Sequence, residues 1–344
     1  MLGLAPLPRN LAAALRDARH EKPAVRASAL SDLVRLARNG EIEASNELLR
    51  LLEHEPLDDL RARTAMGLAD AEVHRARDAL LARLENDTSA SVRQFAVLAL
   101  GELAEPGDAS VARVLVEAAR DSEAPIRFQA LLSLHQIKAE AAPAAILEAM
   151  TDPDPEIRRM SFRLAEAEFA DSGLPELGRA RARAALNGTD PAVKAAAALA
   201  LAQFGDTSGE GTLIELISGR PRGVSFEDQQ AAIERAGELG LKKAAVWLER
   251  RAFGGLLLRD LLAHDALLAL ARLGNSRARS AIVRDLSGFG FRRRTRAAEA
   301  AGRARLHEAR PALEALAKAP GRADPEVVKH ALELLDADAG EERA

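Results

Sequence analysis

The chain has 344 residues, a formal net charge of −4 and 48% hydrophobic residues, yet only 3% aromatics, with one Trp and no Tyr. It has no Cys, which excludes disulfides, zinc–thiolate sites and cysteine nucleophiles. No stretch approaches the roughly 18 uncharged apolar residues of a membrane span, and "MLGLAPLPRNLAAALRDARH" lacks the unbroken apolar run of a signal peptide, so a cytoplasmic protein is expected.

The apolar residues are mostly Ala and Leu, which with Arg and Glu are strong helix formers. Taken in chain order, one pattern recurs: a turn, a Val/Ile–Arg step, then Ala and Leu at helical spacing. It reads "KPAVRASALSDL" at 22–33, "EPLDDLRARTAMGL" at 55–68, "NDTSASVRQFAVLALGEL" at 86–103, "DSEAPIRFQALLSL" at 121–134, "DPDPEIRRMSFRL" at 152–164, "TDPAVKAAAALALAQFG" at 189–205 and "DPEVVKHALELL" at 324–335. The basic position after Val/Ile marks the register. It falls at Arg26, Arg61, Arg93, Arg127, Arg158 and Lys194, then by alignment at Gln229, Ala263, Arg294 and Lys329, a mean spacing of about 34 residues.

A second helical segment precedes each mark, as in "SVARVLVEAARD" at 110–121 and "RARSAIVRDL" at 277–286. Each unit therefore reads as an antiparallel pair, helix A then helix B. Asp152, Asp190 and Asp324, each followed by Pro, are the expected B-helix N-caps. One pair cannot bury its apolar face alone, whereas stacked pairs bury a continuous one.

These "D-P-x-x-V/I-R-x-x-A-x-x-A-L" units resemble HEAT repeats, of the short Ala-rich bacterial type related to the phycobilin-lyase repeats, over residues 8–336. The resemblance implies an all-α fold, a single right-handed α-solenoid of about ten helix pairs spanning residues 1–337, with a short acidic, flexible tail at 338–344. It also implies that the mark cations Arg93, Arg127 and Arg158 and the turn acids Asp87, Asp121 and Asp152 pair between neighbouring repeats.

Some HEAT-repeat proteins are enzymes. The di-iron deoxyhypusine hydroxylases resemble this chain in repeat type and need several His–Glu pairs to converge. Here His20–Glu21, His54–Glu55 and His307–Glu308, with His264–Asp265, are out of phase with the repeat. A HEAT-like DNA glycosylase needs aromatic surfaces for a base, which this composition lacks. Nothing identifies the chromophore pocket of a phycobilin lyase, and there is no phosphate loop, H-E-x-x-H or G-x-S-x-G. Neither an enzyme nor a cofactor or metal is expected.

Three consecutive A–B turns break the pattern: "SGRPRGVSFEDQ" at 218–229, "RRAFGGLLLRD" at 250–260 and "SGFGFRRRTR" at 287–296. Each contains Gly, Phe and Arg, and their equivalent positions should align them into one ridge. Charge divides likewise: residues 219–322 carry net +10 and the remainder −14. Arginines in the first turns of the helix near Arg292 oppose its dipole and suit an anion, although Arg294 is explained by register alone. The expected function is a non-enzymatic scaffold that binds another protein with an acidic patch. Binding would use the concave face or the ridge, through Arg220, Arg222, Trp247, Arg250, Arg251, Phe289, Phe291, Arg292, Arg293 and Arg296. The alternative is a binder of nucleic acid or another phosphate-bearing ligand on the same ridge. Oligomeric state is left open.

Overall fold

The computed structural model describes residues 8–220, 222–254 and 260–341. They form α-helices joined by turns and short 3-10 segments, with no strand among the described residues. The helices alternate as ten A–B pairs, and the chain divides into two compact units at Ser172–Gly173. Unit 1 holds five pairs: α1 (Leu11–Asp17) with α2 (Pro23–Arg38), α3 (Ile42–His54) with α4 (Asp58–Asp70), α5 (Arg77–Asn86) with α6 (Ala90–Leu103), α7 (Ala109–Ala118) with α8 (Ala124–Gln136), and α9 (Ala142–Ala149) with α10 (Pro155–Glu168). Unit 2 holds α11 (Glu176–Ala185) with α12 (Pro191–Gln203), α13 (Glu210–Ser218) with α14 (Phe226–Glu238), α15 (Ala245–Phe253) with α16 (Ala263–Arg272), α17 (Ser276–Leu286) with α18 (Phe291–Arg303), and α19 (Arg310–Ala317) with α20 (Pro325–Glu341). The acidic end expected from residue 338 coincides with the last turn of α20 as far as Glu341, and residues 342–344 lie outside the described residues.

Each A helix packs on its own B helix, and successive B helices pack on one another within each unit. The core between them is Ala and Leu, including Leu33, Leu48, Leu52, Leu68 and Leu80 in unit 1 and Leu213, Leu248, Leu270 and Leu313 in unit 2. Small side chains let the B helices come close. A Cβ on Gly237 of α14 would lie 2.8 Å from the Cα of Ala269 in α16, and one on Gly302 of α18 would lie 2.6 Å from the Cα of Ala331 in α20. Both glycines stand eight residues after the mark. In an exposed helix Gly→Ala stabilises by about 1 kcal/mol. Here backbone blocks the methyl group, and overpacking costs about 1–3 kcal/mol. Gly302→Ala is therefore expected to lower the urea midpoint; a raised midpoint would contradict this packing.

The mark arginines of unit 1 form a ladder. Each donates Nη1 to one or two backbone carbonyls of its own turn, and Arg26, Arg61 and Arg127 donate their remaining guanidinium N–H groups to an acid in the turn of the next pair. Arg127 donates Nη1 to Asp121 O and Ser122 O (3.0 and 2.9 Å) and Nε and Nη2 to the two carboxylate oxygens of Asp152, both at 2.8 Å. Arg26 holds Glu55 and Arg61 holds Asp87 in the same bidentate way, and Arg93 reaches Asp121 at 3.8 Å. Pairing does run between neighbours, but for Arg26, Arg61, Arg93 and Arg127 the carboxylate belongs to the following turn, while the arginine's own turn supplies only carbonyls. Arg158 shows the carbonyl half alone, donating to Asp152 O and Pro153 O.

The ladder also corrects the capping expectation at Asp152. Asp190 caps α12 through Ala192 N and Val193 N, and Asp324 accepts from Glu326 N at 3.0 Å, as expected. In α10 the cap is Asp154, which accepts from Glu156 N and Ile157 N. Asp152 is spent on Arg127 and on Asp154 N.

Burial pushes the carboxyls of Asp87 and Asp152 up. Hydrogen bonds from Arg61 and Ser89 N to the first, and from Arg127 and Asp154 N to the second, outweigh this and hold both below the ordinary range. A depressed folded value means stability that is complete above the unfolded value of about 3.9 and lost as pH falls through the folded one. Stability against urea should therefore be flat from about pH 8 to 5.5 and drop below about pH 4.5. Asp152→Asn should make that drop shallower by up to one proton, about 1.4 kcal/mol per pH unit; an unchanged slope would remove Asp152 from the titration.

Candidate functional site

The turns of pairs 7, 8 and 9 lie at the same end of three consecutive pairs in unit 2. Each exposes large apolar side chains. Phe226 (44% exposed) opens α14, Leu261 (84%) precedes α16, and Phe289 (97%) and Phe291 (46%) flank the start of α18. These are four of the eight exposed large hydrophobics among the described residues. Phe226 and Phe291 occupy one register position, three residues before the mark, where Pro23, Pro155 and Pro191 stand in other pairs. Sequence reasoning missed Phe226 and Leu261; the three-residue offset from the mark was the signal that could have found Phe226.

The arginines divide into free and committed. Arg220, Arg222, Arg250, Arg292 and Arg296 are exposed, and none has an ion-pair partner among the described residues. Arg220 lies over the Trp247 ring at 4.6 Å from its centroid, with Arg250 at 5.8 Å from the same ring. Trp247 is half-buried and packs against the core of unit 2, so it is a core side chain with an accessible surface that two cations cover. Arg293 is exposed but bonded to Asp285 at 2.6 Å, which raises its pKa. Arg294 donates to Gly288 O at 2.7 Å and to Arg322 O of the next turn at 2.6 Å, the register role expected of it.

Arg251 departs from the expected binding set. Its side chain is 13% exposed and bonds to Ile217 O, to Gln229 Oε1 at 2.7 Å and to Asp260 at 3.1 Å. It lies on helix A, yet it ties turn 7 to turn 8 where the mark residue Gln229 cannot act as a cation. Its guanidinium is spent on bonds within the chain. Residues 255–259, within turn 8, and Pro221 in turn 7 lie outside the described residues.

The exposed side of the B helices differs. Arg303 of α18 pairs with Glu234 of α14 and with Glu299. Arg272 bonds to Glu238 and to Arg303 O, and Arg235 to Glu238 and Gln203. Arg235, Arg272 and Arg303 on these helices are thus neutralised internally, whereas Arg220, Arg222, Arg250, Arg292 and Arg296 at the turns have no ion-pair partner among the described residues. Among the described residues no group of three or more His, Asp and Glu could hold a metal ion, and no helix is long and apolar enough to cross a membrane. Glu55, beside His54, serves as the ladder acid of Arg26 instead.

Residues 77–165, from the start of α5 into α10, match the family model for HEAT repeats. The chain carries HEAT repeats. Solved structures agree on the fold. The E. coli protein YibA is 18% identical, with a TM-score of 0.58 over 78% of this chain and 93% of YibA. Kap121p bound to Nup53p is 12% identical, with a TM-score of 0.53 over 94% of this chain and 40% of Kap121p. No curated protein sequence matches. Across pairs 7–9 each turn exposes at least one large apolar side chain beside one or more free cations.

Proposed function

We propose that the protein is a non-enzymatic HEAT-repeat scaffold that binds an acidic segment of another protein along the turns of pairs 7–9. The observation that carries this reading is the coincidence, in three successive turns, of exposed Phe226, Leu261, Phe289 and Phe291 with the free cations Arg220, Arg222, Arg250, Arg292 and Arg296. Exposed aromatic and arginine side chains are the types that anchor interfaces. That Kap121p has been solved with Nup53p bound supports the use of such a fold for protein binding. The opposing face of the B helices is the weaker candidate, because its arginines are already paired.

A partner captured by the wild-type protein is expected to be lost from Phe289→Ala combined with Arg292→Glu and Arg296→Glu. Nucleic acid on the same edge would instead show a steep fall in affinity with salt, each phosphate contact releasing counterions.

A further inference from the structure

The ladder of unit 1 has a rule that unit 2 breaks. The acid that completes each rung stands six residues before the next mark: Glu55, Asp87, Asp121 and Asp152. In unit 2 the same position holds Gly188, Gly223, Gly288 and Ala323 in the described turns. Arg294 compensates by bonding the Arg322 carbonyl. Lys194, the mark cation of pair 6, does not. Lys194 is half-buried and has no ion-pair partner among the described residues; turn 7 offers Gly223 where a carboxylate would stand.

The missing rung is an open space. A cavity of about 290 Å³ is lined by Lys194, Arg220, Thr189, Thr212, Glu215 and Leu216. Arg220 is held at its wall by Trp247. The larger 440 Å³ cavity of unit 1 is different: its arginines, Arg120 and Arg127, are already paired with Glu148 and Asp152. We infer that the Lys194–Arg220 cavity receives an Asp or Glu side chain of the bound partner, which supplies from outside the carboxylate that every described neighbour-to-neighbour rung of unit 1 supplies from within. The two cations would share one carboxylate, with the Thr189 and Thr212 hydroxyls as further donors. Glu215 at the same wall pairs with neither cation, and its charge disfavours a doubly charged phosphate more than a single carboxylate. This rests on the acidic-partner reading above and names where one acidic residue would seat.

Trp247 is the single Trp of the chain, and Arg220 covers it, so its emission reports on the cavity. Titration with hexaglutamate is expected to change that emission saturably. Lys194→Met, which keeps the aliphatic stem, is expected to weaken the response about tenfold, and Glu215→Gln, an exposed change that leaves the fold alone, to strengthen it. No response in the wild type, an undiminished response in Lys194→Met, or a weakened one in Glu215→Gln would overturn the inference. So would an equal response to inorganic phosphate at the same concentration, which would make the cavity a general anion site. Arg292→Glu with Arg296→Glu should leave hexaglutamate binding intact, and a parallel loss there would overturn a local site. Intact peptide binding with unchanged partner capture in the ridge variant would reject the ridge reading and leave the cavity standing.

Discussion

Asp152→Ala is expected to destabilise unit 1 by about 3 kcal/mol, the low end for removing one partner of a buried pair. The Arg127 and Asp152 side chains are 11% and 9% exposed, and the two bonds between them are parallel and short. Without the carboxylate, the guanidinium keeps its bonds to Asp121 O and Ser122 O but loses its counter-charge where water reaches poorly. Asp154 N loses an acceptor as well. The double variant Arg127→Met with Asp152→Leu should recover much of the loss, since it strands no charge. Urea unfolding of both variants checks this. Equal losses in the single and double variants would mean that packing, and not the ion pair, holds pairs 4 and 5 together.

The second large effect is on binding. Phe289→Ala with Arg292→Glu and Arg296→Glu is expected to reduce partner affinity at least about 30-fold, the scale of one anchor residue worth roughly 2 kcal/mol. None of the three substitutions touches a described internal bond, and Phe289 is 97% exposed, so stability should change little. Loss of affinity at unchanged urea midpoint is then an interface effect. Reversing charge should chiefly slow association and flatten its salt dependence, whereas Phe289→Ala alone should speed dissociation. Unchanged affinity in the triple variant would move the interface elsewhere on the molecule.

Much of this was legible in the sequence because a repeat writes its structure many times. The marks from Arg26 to Lys329 located ten B helices, and all ten are present as helices in the structure. The acids six residues before each mark, present at Glu55, Asp87, Asp121 and Asp152 and replaced in the described turns of unit 2, are equally a matter of spelling. What spacing could not supply is direction across a gap. Asp121 lies near Arg127 in sequence, yet gives it only a carbonyl, while the carboxylate comes from Asp152.

The candidate site was legible in part for the same reason. The composition of three turns picked out Arg220, Arg222, Phe289 and Arg292, since local sequence decides that a turn is polar, glycine-rich and on the surface. Whether a given arginine there is free is decided by atoms far along the chain. Arg251 and Arg250 are adjacent in sequence. Arg251 is locked onto Ile217, Gln229 and Asp260, while Arg250 lies over the Trp247 ring with no ion-pair partner among the described residues. Arg303 and Glu234 meet across 69 residues. The sequence by itself determined helix, period, register and the sign of the charge, because these follow from propensity and spacing within one pair. Only the tertiary structure decided which cations are spent and which aromatics stay uncovered. Those outcomes depend on how one pair meets the next.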